Sequence, residues 1–366
     1  MKYPYLENME FKFLKAFNGD CTLITFIDSD KKVRNVLIDG GTKSTYNAAS
    51  KKDPIEGELR TMVSKIKTEG HNIDLLILTH VDNDHIAGVL KWFESDLQSA
   101  KDIIKEIWFN SGRLICEHFG WPEIKENLRI IKVLQGKRNT GIAQGVAFED
   151  YITDFGIWYQ EVIAAGMELE RFGVKFQFLS PDEFSLRKLL HKWDAESPIT
   201  NTSSKPDDYG LTLQEHISQD SFEEDIKIHN GSSIAFIMTF NELSYLFLAD
   251  AHSSVVEKSL GDLNYDQKSP LAVKFMKVSH HGSKGNSSPY LFNIVNTNKY
   301  IISTNGKGHK HPDKSLLARL ISINKNKEVE TEIYFNYPNL ITKIFDEDDY
   351  LNFPDFKVDS TDNLKL

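Results

Sequence analysis

Short apolar runs in this chain repeatedly give way to an acid or an imidazole. Val36-Leu37-Ile38 stops at Asp39, and Ile73-Asp74-Leu75-Leu76-Ile77-Leu78 passes through Thr79 into His80. Ser244-Tyr245-Leu246-Phe247-Leu248-Ala249 stops at Asp250, residues 273–278 lead to His280-His281, and Tyr300-Ile301-Ile302-Ser303 precedes His309 and His311. Runs of this composition read as buried strands. Polar residues placed just past strand ends gather along one edge of a sheet, where they converge on a point in space. Helical spacing over residues 55–67, 86–93 and 253–260 falls between these strands, so the chain is expected to be α/β.

Further strands are expected over residues 11–17, 21–26, 174–179 and 233–240. Residues 100–228 read as an inserted helical and loop region shaping a cleft, with a strand at 107–109, a helix at 122–134 and a long surface loop at 197–221. Its aromatics Trp108, Phe109, Trp121 and Trp158 could stack on a base or line an apolar pocket, with core packing the ordinary role for most of them. A single domain is expected over 9–345, followed by an acidic, weakly packed tail over 346–366.

The densest chemistry lies in Thr79-His80-Val81-Asp82-Asn83-Asp84-His85. On leaving a strand, residues i and i+2 project to the same side, so His80 and Asp82 can grip one ion. Asp84 and His85 fall where the next helix begins and turn toward a second. Imidazole nitrogen and carboxylate oxygen suit Zn²⁺ first, and also Mn²⁺ or Fe²⁺.

This run resembles the signature loop of the metallo-β-lactamase superfamily, usually H-x-H-x-D-H, with Asp82 in place of the second histidine. The H-x-D-x-D-H form is similar to the hydrolase domain of bacterial competence DNA-uptake channel proteins and their soluble relatives. Other pieces agree in order over residues 9–320: Gly19-Asp20-Cys21 with Leu37-Ile38-Asp39-Gly40-Gly41, Phe247-Leu248-Ala249-Asp250, Val278-Ser279-His280-His281-Gly282-Ser283, and Gly308-His309-Lys310-His311-Pro312. The resemblance implies a four-layer αββα sandwich and two divalent cations. It implies that Asp250 bridges both ions and that Asp39 orients a ligand imidazole. One of His280 and His281 would be a ligand or proton donor, and His311 is preferred to His309 as the last histidine. His229 has the H-x-x-x-S spacing of the middle histidine element, whereas competence-type relatives carry asparagine there. The implied metal set is His80, Asp82, Asp84, His85, His229, Asp250, His281 and His311. Asp84, His280, His281 and His311 are the implied catalytic groups. His71, His118, His191, His216 and His252 are read as surface or packing residues.

The resemblance implies hydrolysis by a water activated on two metals, with a phosphodiesterase or nuclease activity as the leading expectation. Alternatives are a carbonyl ester, lactone or thioester hydrolase, and a metal-bearing binding module without turnover. The expected substrate is therefore a phosphodiester or another small ester, nucleic acid included. The formal net charge is −10, from 43 Lys and Arg against 53 Asp and Glu. Polyphosphate binders usually carry a basic surplus, so long-duplex binding would need a local basic groove. The two cysteines, Cys21 and Cys116, exclude a disulfide framework and a metal site built on cysteine pairs, and fit a reducing compartment. With no signal-like or membrane-length apolar stretch, the expectation is a cytoplasmic protein without membrane association.

Overall fold

The computed structural model describes residues 9–48, 55–120, 141–195 and 206–366. It divides into two compact units, Met1–Ile163 with Glu183–Thr202 and Ala164–Asp182 with Ser203–Leu366. Among the described residues, no helix is long and apolar enough to cross a membrane.

The first unit is built on a five-stranded sheet: β1 (Glu10–Phe13), β2 (Thr22–Ile27), β3 (Val33–Ile38), β4 (Leu75–Ile77) and β5 (Ile107–Trp108), in that spatial order. The first three strands are antiparallel; β3, β4 and β5 run parallel. The alternation in β1, whose Phe13 is buried and Glu10 exposed, suits an edge strand with one wet face. Leu75, Leu76 and Ile77 are all fully buried, as a central parallel strand covered on both faces requires.

Helix Asn83–Ser95 follows β4 and lies close against the segment after β3. Gly40 N–H donates to His85 O at 2.8 Å, and Gly88 N–H donates to Gly41 O at 2.9 Å. A Cβ on Gly88 would stand 1.8 Å from Gly40 O, a backbone atom that cannot swing aside. Gly88→Ala is expected to destabilise by about 2–3 kcal/mol through overpacking, more than the ~1 kcal/mol that alanine gains over glycine within a helix. Chemical denaturation of the two proteins checks this.

The second unit carries an eight-stranded sheet. Its strands are β6 (Glu168–Arg171), β7 (Val174–Ser180), β8 (Ala235–Phe240), β9 (Leu243–Phe247), β10 (Met276–Lys277), β11 (Lys299–Ile302), β12 (Thr331–Phe335) and β13 (Phe356–Ser360). The spatial order is β13-β12-β11-β10-β9-β8-β7-β6, antiparallel from β6 to β9 and parallel from β9 to β13. Helices Ser253–Asp262, Pro289–Ile294 and Lys314–Asn326 return the chain between parallel strands. The fold is thus mixed α/β, consistent with a metallo-β-lactamase sandwich.

Two expectations need correction. Within residues 100–228 the expected strands at 107–109 and 174–179 are present as β5, which completes the first sheet, and β7, whose hairpin with β6 forms the edge of the second. That hairpin turns on Phe172 and Gly173, both in the left-handed region at φ 57° and 76°, as a tight two-residue connection demands. Within the expected loop, residues 213–218 form a helix whose Thr212 and Glu215 make a reciprocal capping box. The expected helix at 122–134, Trp121 and residues 197–205 lie outside the described residues.

Residues 346–366 are not a weakly packed tail. They form helix Glu347–Asn352 and strand β13, which pairs with β12 along five residues, Phe356 to Ser360. Phe353 and Phe356 are buried in the core of the second unit. Asp349 is buried beside Lys314, with Nζ to Oδ2 at 2.7 Å and neither side chain exposed. The acidic composition hides these few anchors. Trp108, Phe109 and Trp158 are buried as well, and Trp158 Nε1–H donates to Phe109 O at 3.0 Å, so they pack rather than await a base.

Candidate metal centre

In the first unit, Asp39 leaves the end of β3 in the left-handed conformation, at φ 57°. Its buried carboxylate accepts three hydrogen bonds: from Thr79 N–H at 2.8 Å, from Thr79 Oγ1–H at 2.8 Å and from His85 Nδ1–H at 2.7 Å. A carboxylate without a proton can only accept, so His85 carries its hydrogen on Nδ1 and its lone pair on Nε2. The Thr79 hydroxyl hydrogen is already given to Asp39. Its oxygen therefore accepts from His80 Nδ1–H at 3.0 Å, and His80 likewise turns its Nε2 lone pair outward. The two imidazoles lie with ring centroids 4.1 Å apart.

Asp82 sits at the N-cap of helix Asn83–Ser95 without a side-chain capping bond, and Asp84 lies in the first turn, half-buried. The Asn18-Gly19-Asp20 turn rests on Asp84. Asn18 Nδ2–H donates to its Oδ2 at 3.1 Å, and Asp20 N–H donates to its backbone oxygen at 3.1 Å. A Cβ on Gly19 would stand 2.0 Å from that same oxygen, so only glycine lets buried Asp20 approach. Burial above all, with Asp39, Asp20 and Glu58 adding to it, pushes the Cys21 thiol well above its usual range.

In the second unit, Asp250 follows β9 and is buried; His280 and His281 follow β10 and both adopt left-handed backbone, at φ 48° and 56°. Such conformations in bulky residues cost about 1–3 kcal/mol each and persist only where the surroundings impose them. His281 Nδ1–H donates to Ser303 O at 2.9 Å, which leaves its Nε2 lone pair for a ligand. His280 Nδ1 lies 2.9 Å from Asn286 Oδ1, and its Nε2 lies 3.6 Å from Asp250 Oδ2. Burial first, then the neighbouring His311 and His281, lower the His280 pKa against the opposing pull of Asp250. Although burial alone would raise Asp225, hydrogen bonds from Asn230, Lys227 N–H and Asn286, together with His280, hold its carboxyl below the usual range.

The family described as Metallo-beta-lactamase superfamily matches residues 14–95. The chain is similar to that family over this N-terminal stretch. No curated protein matches the chain. Among solved structures, CmlA, a diiron beta-hydroxylase from Streptomyces venezuelae, is similar with a TM-score of 0.40 and 12% identity over 89% of this chain and 52% of that one. The present chain therefore spans about half the length of CmlA. A metal-dependent hydrolase from Parabacteroides distasonis gives a TM-score of 0.34 at 11% identity, covering 89% of this chain and 97% of that one.

The structure gathers the residues picked from the superfamily pattern unit by unit. Asp39, His80 and His85 share one hydrogen-bonded network with Thr79, and Asp82 and Asp84 open the helix beside them. In the second unit Asp250, His280 and His281 are buried, and the His311 ring centroid lies 5.0 Å from that of His280. His309 is exposed, 6.1 Å from His311. His229 is buried in the short helix Ile228–Gly231, but it is its neighbour Asn230 that reaches Asp225 and lies 3.3 Å from His280 Nδ1. His216 and His252 hold backbone carbonyls, of Asp208 at 2.9 Å and Lys227 at 3.0 Å, as structural histidines do.

Asp39→Asn replaces an acceptor-only group with one that also donates, so His85 loses its preferred tautomer. Metal affinity is expected to fall roughly 10–100-fold, measurable by competition with a chromophoric chelator.

Proposed function

We propose that the protein is a metal-dependent hydrolase holding two divalent cations, and that its substrate is a phosphodiester. The observation that carries this reading is the hydrogen-bond pattern around the buried imidazoles. His80, His85 and His281 are each pinned through Nδ1, by Thr79, Asp39 and Ser303, so each presents Nε2 as a ligand lone pair. Outer partners of this kind are what metal-ligating histidines have. Asp20, buried in the turn that rests on Asp84, joins the candidate ligands of the first unit; it was not singled out as a ligand from the sequence, although Gly19-Asp20-Cys21 belongs to the resemblance.

In this reading the residues that would hold the cations are Asp20, His80, Asp82, Asp84 and His85 of the first unit and His229, Asp250, His281 and His311 of the second. When bound, divalent cations would supply a lowered pKa for the attacking water and offset charge growing on the scissile group. The protein itself holds and moves the proton. His280, whose pKa burial lowers first of all, is the candidate proton acceptor, and His311 stands next to it. Zn²⁺ suits this donor set of imidazoles and carboxylates, and Mn²⁺ or Fe²⁺ are the competing ions.

The phosphodiester assignment is supported by the H-x-D-x-D-H variant and by the fit of paired cations to in-line displacement. The acidic net charge of −10 favours a short or small substrate over a long duplex. Metal-reconstituted protein should hydrolyse bis-(p-nitrophenyl)phosphate and short single strands faster than lactones, thioesters or monoesters. Preferential turnover of lactones or thioesters would reject the substrate class. Full metal occupancy with no turnover on any panel would reject the enzyme.

A further inference from the structure

We propose that Asp225, acting through Asn286, is a positioning residue that keeps the His280 proton on Nδ1 and its lone pair on Nε2. The consequence for catalysis rests on the hydrolase reading above; the tautomer does not. Asp225 lies outside the strand-end pattern, in the segment before helix Ile228–Gly231, and neither superfamily motif nor spacing marks it.

Asn286 is fully buried. Its Nδ2 has two acceptors, Asp225 Oδ2 at 3.2 Å and Asp250 O at 3.1 Å. Turning the amide over would set its oxygen against both of them, so the network fixes the orientation. Oδ1 then faces His280 Nδ1 at 2.9 Å, a distance that an acceptor tolerates only if that nitrogen carries the hydrogen. The competing contact is Asn230 Nδ2, 3.3 Å from the same nitrogen. It is longer than the 2.9 Å contact from Asn286 Oδ1, and the shorter bond of Asn230 Nδ2 goes to Asp225 Oδ2. Asp225 thus accepts from both amides, and its carboxylate lies 3.7 Å from the imidazole it helps to orient.

The arrangement is braced from outside. Asp225 N–H donates to Gly285 O at 2.8 Å, tying the 225 segment to the turn that carries Asn286. Arg319, almost fully buried, donates to Lys284 O at 2.9 Å and Ser287 O at 2.8 Å, on either side of the same turn. Asp220 in turn clamps that guanidinium at 2.7 and 2.8 Å.

The test uses the full chain labelled with [15N]histidine, at a pH where its histidines are neutral. Multiple-bond 1H–15N spectra report which ring nitrogen is protonated, and the His280 signal is identified by its loss in His280→Gln. Wild type should show Nδ1–H. Asp225→Asn lets residue 225 donate and the Asn286 amide turn, so His280 should shift toward Nε2–H. Asn286→Leu, which deletes the acceptor, should release the same preference, and it serves if Asp225→Asn does not fold. In turnover, kcat on bis-(p-nitrophenyl)phosphate should fall about 10–100-fold with KM little changed. An Nε2–H signal in wild type, or an unaltered tautomer in the folded variants, overturns the proposal. Because the spectra need no substrate, an inactive but correctly protonated wild type would count against the hydrolase reading alone.

Discussion

His85→Ala is expected to remove bound metal and, with it, hydrolysis. The side chain is fully buried and fastened to Asp39 at 2.7 Å, so alanine deletes a fixed, buried imidazole donor. Changing an outer partner costs roughly 10–100-fold in affinity or activity; losing the imidazole itself should exceed that. It should also leave Asp39 with only the Thr79 bonds. Metal content by atomic emission and hydrolysis of bis-(p-nitrophenyl)phosphate should fall together. Retention of full metal content and rate would remove His85 from the site. His309→Ala, at an exposed position, is the matched control and should change neither.

The largest expected loss of stability lies far from the chemistry. Asp349 accepts from Leu213 N–H at 2.8 Å and pairs with Lys314 at 2.7 Å, both charges being out of water. Asp349→Ala strands a buried ammonium, which costs about 3–5 kcal/mol. At roughly 2–4 °C per kcal/mol for a unit of this size, the melting temperature should drop by roughly 6–20 °C. Removing both charges, as in Lys314→Met with Asp349→Leu, should recover much of that loss, because apolar groups of similar volume need no partner. A single variant that melts like wild type would show that the pair is not buried. The same measurement decides whether residues 346–366 belong to the fold, since helix Glu347–Asn352 supplies the acid.

Strand-terminal residues were legible because burial and chemistry are written in adjacent letters. An uninterrupted apolar run such as Leu75-Leu76-Ile77 has to be covered on both faces, and the first polar residues after it have to leave the sheet at its edge. Asp39, His80, Asp250 and His280 follow from that rule. The tail misled because composition averages over residues: Phe353, Phe356 and Asp349 anchor it, while the acids around them face water. Asp20 escaped notice for a different reason. Its place depends on Gly19 meeting a carbonyl oxygen 65 residues later in the chain, at Asp84, and no local spacing encodes that approach.

By itself, then, the order of residues determined the strand–helix alternation, the H-x-D-x-D-H loop and the identity of most potential ligands. These depend on local periodicity and on donor chemistry, both properties of short stretches. Only the tertiary structure set the partners that orient His85 and His281, Asp39 and the Ser303 carbonyl, which lie elsewhere in the chain. It also decided that Lys314 and Asp349 are buried together and that Asp225 stands behind His280. Hydrogen bonds act over about 3 Å, and folding alone brings distant residues within that reach.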